Sequence, residues 1–341
     1  MKRAWRRSGP AAMALCLALG LTGCGGGLQS MEWAIEPTYG FEAVEPVADF
    51  ASLAEGGLCS GPGEAGYYLV KTAGGWGVLD TATGQTAAEG VFYAPPSRCH
   101  LGELYDPSLY EEGRRLTNEE YQQADQELEA LGTSFRMESG HGGVTERYLQ
   151  NPEDGQVYQT RGGDTQPLSV PVRQGENVYP GLLPVQRGQW EENEIMWDGR
   201  QLYPQPGSLY AVATPQGELL TGFVYEAACM GTGEMIAVRQ NGKWGYVNGE
   251  GRLVIPCEYE AFWGARWQWS EAEGRSVCRT GVYPAPATGG CVVLRQNGRT
   301  GVAKTDGSWL LEPGEVEDAA PAANGLLWVK TNGKWGALTL N

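Results

Sequence analysis

The chain has 341 residues, 41% of them apolar, and a formal net charge of −16 at pH 7 from 41 acidic and 25 basic side chains. So many acidic groups should repel nucleic acid and anionic lipid surfaces, and their even spread points to solubility rather than to an acidic binding tail. The length allows a sizeable core, and 51 glycines suit many tight turns.

At the N-terminus, Lys2, Arg3, Arg6 and Arg7 precede an apolar stretch from Ala11 to Leu21. That stretch is too short to span a bilayer, so residues 1–23 read as a signal peptide. Leu21-Thr22-Gly23-Cys24 looks like a bacterial lipobox. It makes Cys24 the expected lipidation site and places the protein outside the cytoplasm, held on the cell membrane by its acyl chains. Residues 24–31, with Gly25-Gly26-Gly27, are expected as a flexible tether, and residues 32–341 as the folded domain.

Trp33-Ala34-Ile35-Glu36-Pro37 opens that domain as a strand without a neighbour in sequence. A recurring pattern begins at Gly66. Strand starts align at residues 66–71, 181–186, 233–239, 290–295 and 325–330. Hairpin turns follow at Asn241-Gly242, Asn297-Gly298 and Asn332-Gly333, where both turn positions need positive φ. The next strand carries Trp76-Gly77, Trp244-Gly245, Thr300-Gly301 or Trp335-Gly336. A second turn follows at Thr83-Gly84, Gly249-Glu250-Gly251 and Asp306-Gly307. A third strand then appears, clearest in Leu253 to Pro256 and Trp309 to Pro313, and it leads into acidic-aromatic stretches such as Glu258 to Phe262.

Three insertions interrupt the pattern. Residues 94–178 contain one well-signalled helix, with Thr117 and Glu120 as a capping box, Gly132 past its end, and Tyr121, Ala124, Leu128 and Leu131 along a face expected to dock on the β-array. Residues 188–208 carry Trp190 and Trp197. Residues 263–288 carry Trp263, Trp267 and Trp269 and read as loop.

These residues resemble the WG (KWG) β-repeat family of bacterial surface and secreted proteins. The best copy is 233–263; those at 66–93, 289–320 and 325–340 are clear, and the one at 181–228 is degenerate. The resemblance implies a non-enzymatic, extracytoplasmic β-repeat module and no particular ligand. The fold is expected to be all-β, built from three-stranded units with one helix-containing insertion. The last repeat stops at Asn341 without a third strand, and Trp33 to Pro37 matches Trp309 to Pro313. Pairing the N-terminal strand with residues 335–338 would close a propeller-like ring of about five blades, favoured over an open stack.

Within this frame Trp76, Gly77, Trp244, Gly245, Gly301, Trp335 and Gly336 are structural repeat residues, the indoles packing between units. Trp190, Trp197, Trp263, Trp267 and Trp269 are not periodic, and loop aromatics on a rigid scaffold suit a glycan, peptide or protein of the envelope. Cys16 leaves with the signal. The six remaining cysteines suggest disulfides in an exported chain, with Cys59–Cys99, Cys229–Cys257 and Cys278–Cys291 as the expected local pairs. No C-x-x-C pair, G-x-S-x-G, H-E-x-x-H, P-loop or calcium-loop pattern occurs, and only His100 and His141 are available. No metal, cofactor or catalytic residue is therefore assigned. Around those non-periodic tryptophans Glu191, Glu192, Glu194, Glu271 and Glu273 suit a polyol, a cation or solubility alone. The second functional reading is an envelope glycan hydrolase using acidic loop residues.

Overall fold

The computed structural model describes residues 27–46, 66–92, 117–131, 146–161, 164–168, 181–192, 199–229, 231 and 235–340. The signal segment, Cys24, Cys59, Cys99, His100, Gly132, His141, Glu194 and Trp197 lie outside them.

Strand β1 spans Trp33–Tyr39. The first unit follows as β2 (Ala43–Pro46), β3 (Tyr67–Thr72), β4 (Gly75–Asp80) and β5 (Thr86–Phe92), paired in that order. Helix α1 (Asn118–Ala130) docks on β5. Its capping box forms as expected: Thr117 Oγ1 accepts from Glu120 N, and a Glu120 carboxylate oxygen accepts from Thr117 N at 2.9 Å. Ala124 and Leu128 are buried on its docking face, Tyr67 donates its hydroxyl to Leu131 O at 2.6 Å, and Glu127 accepts from Ala88 N at 2.8 Å.

The insertion then supplies β6 (Glu146–Gln150), β7 (Val157–Arg161) and β8 (Asp164–Pro167). These extend a sheet containing β9 (Leu183–Glu192), β10 (Arg200–Pro204) and β11 (Tyr210–Ala213), ordered β10-β9-β6-β7-β8 with β11 also on β9. The insertion at 188–208 is thus a lengthened hairpin rather than a loop where it is described.

A further unit pairs β12 (Ala227–Ala228), β13 (Met235–Gln240), β14 (Lys243–Asn248) and β15 (Leu253–Tyr259). Next come β16 (Trp263–Ser270) and β17 (Arg275–Tyr283), which pair only with each other among the described residues. The expected third loop is therefore a β-ribbon. Its alternation of Trp, Val and Tyr favours strands, and Gly274, at φ +64°, closes the turn by donating to Ser270 O at 2.8 Å. Strands β18 (Cys291–Gln296), β19 (Arg299–Lys304) and β20 (Trp309–Val316) form the next sheet. The last contains β21 (Asp318–Ala319), β22 (Leu326–Thr331) and β23 (Lys334–Thr339), with β1 on its outer side.

The N-terminal strand thus pairs with the C-terminal one: Trp33 stands opposite Leu338, Ile35 opposite Ala337 and Tyr39 opposite Trp335. The expected hairpin turns form, with Asn241, Asn297 and Asn332 at φ between 50° and 53° and the following glycines at 72° to 74°.

Three-stranded units are corrected to four strands in three of the sheets. The extra first strand is short, so it carries no readable alternation. Each follows directly on a glutamate of the acidic stretch. Glu42, Glu226, Glu260 and Glu317 donate their backbone N–H to the carbonyls of Lys71, Arg239, Arg295 and Lys330 at 2.8–2.9 Å. The Glu226 carboxylate also accepts from Asn241 N and Gly242 N, and that of Glu317 from Gly333 N, so these glutamates cap the Asn-Gly turns.

The core runs from unit to unit. Leu182 and Val212 pack with Ile236, Val238 and Val247. A larger cluster joins Val185, Tyr246, Ile255, Val293, Leu311 and Leu327. Val44, Tyr68 and Leu79 of the first unit pack with Trp328, Trp335 and Ala337 of the last. The folded part starts earlier than residue 32, because Leu28 and Met31 pack against the large cluster and residues 28–30 form a 3-10 turn. The expected tether of 24–31 shortens accordingly.

Candidate functional site

The repeat tryptophans are interior residues. Trp76 and Trp244 are 6% exposed and Trp335 is 1% exposed. Arg239 lies over the Trp244 ring and Lys330 over that of Trp335, and Trp335 Nε1 donates to Phe41 O at 3.0 Å. The glycine after each tryptophan sits under a bulge of the third strand. A Cβ at Gly245 would stand 2.5 Å from Ile255 O, and one at Gly77 2.8 Å from Glu89 Cα. At Gly301 it would come within 3.0 Å of Pro313 N. Thr300, in place of a tryptophan, is buried as well.

The non-periodic tryptophans do not form one cluster. Trp263 is buried at the root of the β16–β17 ribbon, where its backbone pairs with Tyr283. Trp190 lies within strand β9 rather than a loop. Its Nε1 donates to Asn151 Oδ1 at 3.2 Å, Arg200 covers its face at 4.7 Å, and Tyr158 meets it edge-on at 6.2 Å. The polar handle and one face of that indole are occupied within the fold. Trp267 stands opposite Cys278 in the ribbon register. Trp269, beside the ribbon turn, is 64% exposed, the most exposed large apolar side chain among the described residues. Next to it Ser270 Oγ donates to Glu273, and Arg279 lies 3.5 Å from the same carboxylate.

A cleft of about 640 Å³ opens between the second turns of two consecutive units, lined among others by Asn248, Glu250, Arg252, Leu253, Thr305 and Asp306. Its carboxylates are engaged. Glu250 is ion-paired with Arg252, and Asp306 accepts from the hydroxyl and backbone N–H of Ser308. Those bonds hold the Asp306 carboxyl below its ordinary range, the side-chain bond first. An ionised Asp306 is no proton donor at neutral pH.

A second polar group links the first strands of neighbouring units. Arg295 donates to Asp318 Oδ1 at 2.7 Å and lies 4.4 Å over the Phe262 ring. Partly buried Glu45, on β2, has its carboxyl pushed up to about 8, by desolvation first and by the Asp318 charge second. Among the described residues no group of three His, Cys, Asp or Glu side chains converges as metal ligands do.

The expected disulfides are corrected where they can be traced. Cys229, Cys257 and Cys291 are free thiols. Cys229 belongs to the large core cluster, whereas Cys257 packs against a different one, so the two are directed to different cores. Cys291 is buried with its thiol toward Thr288 O, whereas Cys278 stands opposite Trp267 within the β16–β17 ribbon. Burial pushes the Cys229 and Cys291 thiols up to about 12, which leaves them neutral and poorly reactive.

Repeated sheets joined through bulged glycines and buried tryptophans define an all-β repeat protein. The WG containing repeat model matches residues 244–264 and 301–335, so the chain carries WG β-repeats there. The second match runs from the Gly301 strand to the Trp335 strand, one full repeat in register. No curated protein matches the chain.

Proposed function

We propose that this protein is an extracytoplasmic binding or scaffold lipoprotein, anchored through Cys24, that recognises an envelope glycan, peptide or protein through its insertions. The observation that carries the reading is Trp269, 64% exposed beside the turn of a ribbon whose strands pair only with each other among the described residues. A large apolar face offered on a fixed support is the usual makeup of a recognition point. Occupied carboxylates in the cleft favour binding over glycan hydrolysis.

The units close into a propeller-like ring of five. Support comes from the β1–β23 pairing and from core contacts that run from the β9 sheet through each later unit to the first.

Two experiments test the function. Cys24→Ala should abolish acyl labelling and signal cleavage; unchanged acylation would remove the anchor. Capture from envelope material and a glycan array should each be run with the wild-type chain and with Trp269→Ala. Loss of a captured component in the variant supports recognition through the ribbon. Identical profiles would move the recognition surface elsewhere.

A further inference from the structure

We propose that Asn297 is a site of spontaneous covalent modification, converted through a cyclic imide with Gly298 to aspartate or isoaspartate. The chain contains five Asn-Gly pairs, beginning at Asn241, Asn248, Asn297, Asn324 and Asn332. A glycine after asparagine has no side chain to shield its nitrogen, so every pair is open to this chemistry in an unfolded chain. The fold decides which pair stays open.

The reaction needs no partner but water. The Gly298 nitrogen bonds to the side-chain carbonyl carbon of Asn297, its proton passes through water to the leaving amide, and ammonia departs. Water then adds to the imide and opens it at either carbonyl. One opening gives aspartate, and the other gives isoaspartate, with an extra methylene in the backbone. The first step requires an unengaged asparagine amide, an unengaged glycine N–H and a turn that can open, because a closed hairpin turn fixes the nitrogen relative to the side chain.

Four of the five pairs fail one of these conditions. Glu226 accepts from Asn241 N at 2.9 Å and from Gly242 N at 3.1 Å, and Glu317 accepts from Gly333 N at 3.1 Å. A carboxylate in that place anchors the turn, and its charge opposes loss of the glycine proton. Asn248 Oδ1 accepts from the backbone N–H groups of Glu250 at 3.1 Å and Arg252 at 3.0 Å, which holds that side chain. The Asn324 side chain is hydrogen-bonded to the hydroxyl of buried Tyr68. Asn297 is different. Among the described residues neither its amide nor the Gly298 N–H has a partner. Asn241, Asn297 and Asn332 are all exposed, so exposure does not separate them and capping does.

The open turn has a structural cause. Glu260 holds the backbone place of Glu226 and Glu317, donating its N–H to Arg295 O at 2.9 Å. Its carboxylate lies instead 3.5 Å from Lys243 Nζ, on the turn of the preceding unit. Glu226 and Glu317 lead directly into short first strands, whereas Glu260 leads into the β16–β17 ribbon, which begins at Trp263. The β18–β19–β20 sheet has no such first strand among the described residues. The hairpin beside the insertion is the one left without a cap.

The test is peptide mapping by mass spectrometry of the full chain, kept folded at mildly alkaline pH, with aspartate and isoaspartate quantified over time at all five pairs. Conversion at Asn297 should run at least about fivefold faster than at any other pair, in line with the opening cost that a charge-assisted hydrogen bond adds to a turn. Glu226→Ala should raise conversion at Asn241 toward that of Asn297, with Asn332, still capped by Glu317, as the control within the same molecule. Glu317→Ala is the reciprocal variant, raising Asn332 with Asn241 as control, so the outcome does not depend on one variant folding. Thermal melts verify the fold of each. In denaturant the five rates should converge, which assigns their order to the fold. Equal conversion at Asn297 and Asn241 in the folded wild type, no rise at the uncapped pair in a folded variant, or the same order of rates in denaturant overturns the proposal.

Discussion

A Cβ at Gly336 would stand 2.7 Å from the carbonyl oxygen of Ile35, the same clash that Gly245 avoids with Ile255. The N-terminal strand therefore occupies the place of a third strand down to the bulge that its glycine partner requires. The equivalence extends to register, since Ile35 stands opposite Ala337 as Ile255 does opposite Tyr246.

Gly245→Ala and Gly336→Ala should each destabilise the protein by about 1–3 kcal/mol, because rigid backbone on the facing strand must move. Gly249→Ala is the control: nothing lies within 4 Å of its Cβ position, and the effect should stay within about 0.5 kcal/mol. Denaturant melts of the three variants check this. Equal effects at 245 and 249 would show that the bulge contact carries no energy.

Deleting residues 31–46 should uncover the outer side of β23 and the apolar faces of Trp335 and Ala337. Loss of several buried apolar contacts, each worth roughly 1.5–3 kcal/mol, exceeds the margin of most domains. Hydrogen exchange at residues 334–339 should accelerate together with a large fall in melting temperature. Unchanged protection of that strand would mean that β1 contributes no stability to the last unit.

Much of this architecture was legible in the sequence, for identifiable reasons. Asn241-Gly242 and its two equivalents announce their turns because few other pairs tolerate two positive φ values. Trp33 to Pro37 announces its place by resembling residues 309–313. The first strands beginning at Ala43, Ala227 and Asp318 were missed, since two to four residues cannot display a period. Glutamates 42, 226, 260 and 317, four residues recurring at the unit entries, were the available signal. The ribbon at 263–283 reads as loop because its glycines and charges outweigh its alternating tryptophans. The parallel pairing of β6 with β9 depends on contacts no local pattern encodes. The expectation of export implies disulfides, but the core directs Cys229 and Cys257 apart. Among the non-periodic tryptophans, sequence could not separate the exposed Trp269 from the buried Trp263.

Strand β5 lacks the proline that β1, β15 and β20 carry at Pro37, Pro256 and Pro313, and Glu127 of α1 covers it instead. Glu127→Ala should leave Ala88 N–H buried without an acceptor, at a cost of about 1–3 kcal/mol. Exchange should rise at Ala88 and along residues 118–130. Glu127→Gln keeps an acceptor oxygen and should lose less. Equal losses in the two variants would point to the charge rather than the hydrogen bond.

Glu45 makes stability depend on pH in a definite sense. Its folded-state value near 8 lies above the ordinary 4.5, so the folded protein holds that proton more tightly than the unfolded chain. This contribution is greatest below about pH 4.5, declines as pH rises toward 8 and then levels off. Because Glu45 retains some exposure, the decline should amount to about 1–2 kcal/mol rather than the full linkage value. Glu45→Gln should melt higher than wild type at pH 9 and nearly equal to it at pH 5. Parallel melting curves across that range would show that Glu45 does not titrate there.

The contact between Trp335 and Phe41 joins residues 294 positions apart. A ribosome makes the Phe41 end first and the Trp335 end last. The earliest strand of the domain therefore waits through nearly the whole of synthesis before the edge that receives it exists. Loop closure over such a distance is slow, and a chain lacking its final partner stays open and threadable. The late-meeting ends act as a timer: the N-terminal strand is sealed in only after residues 334–339 have been made.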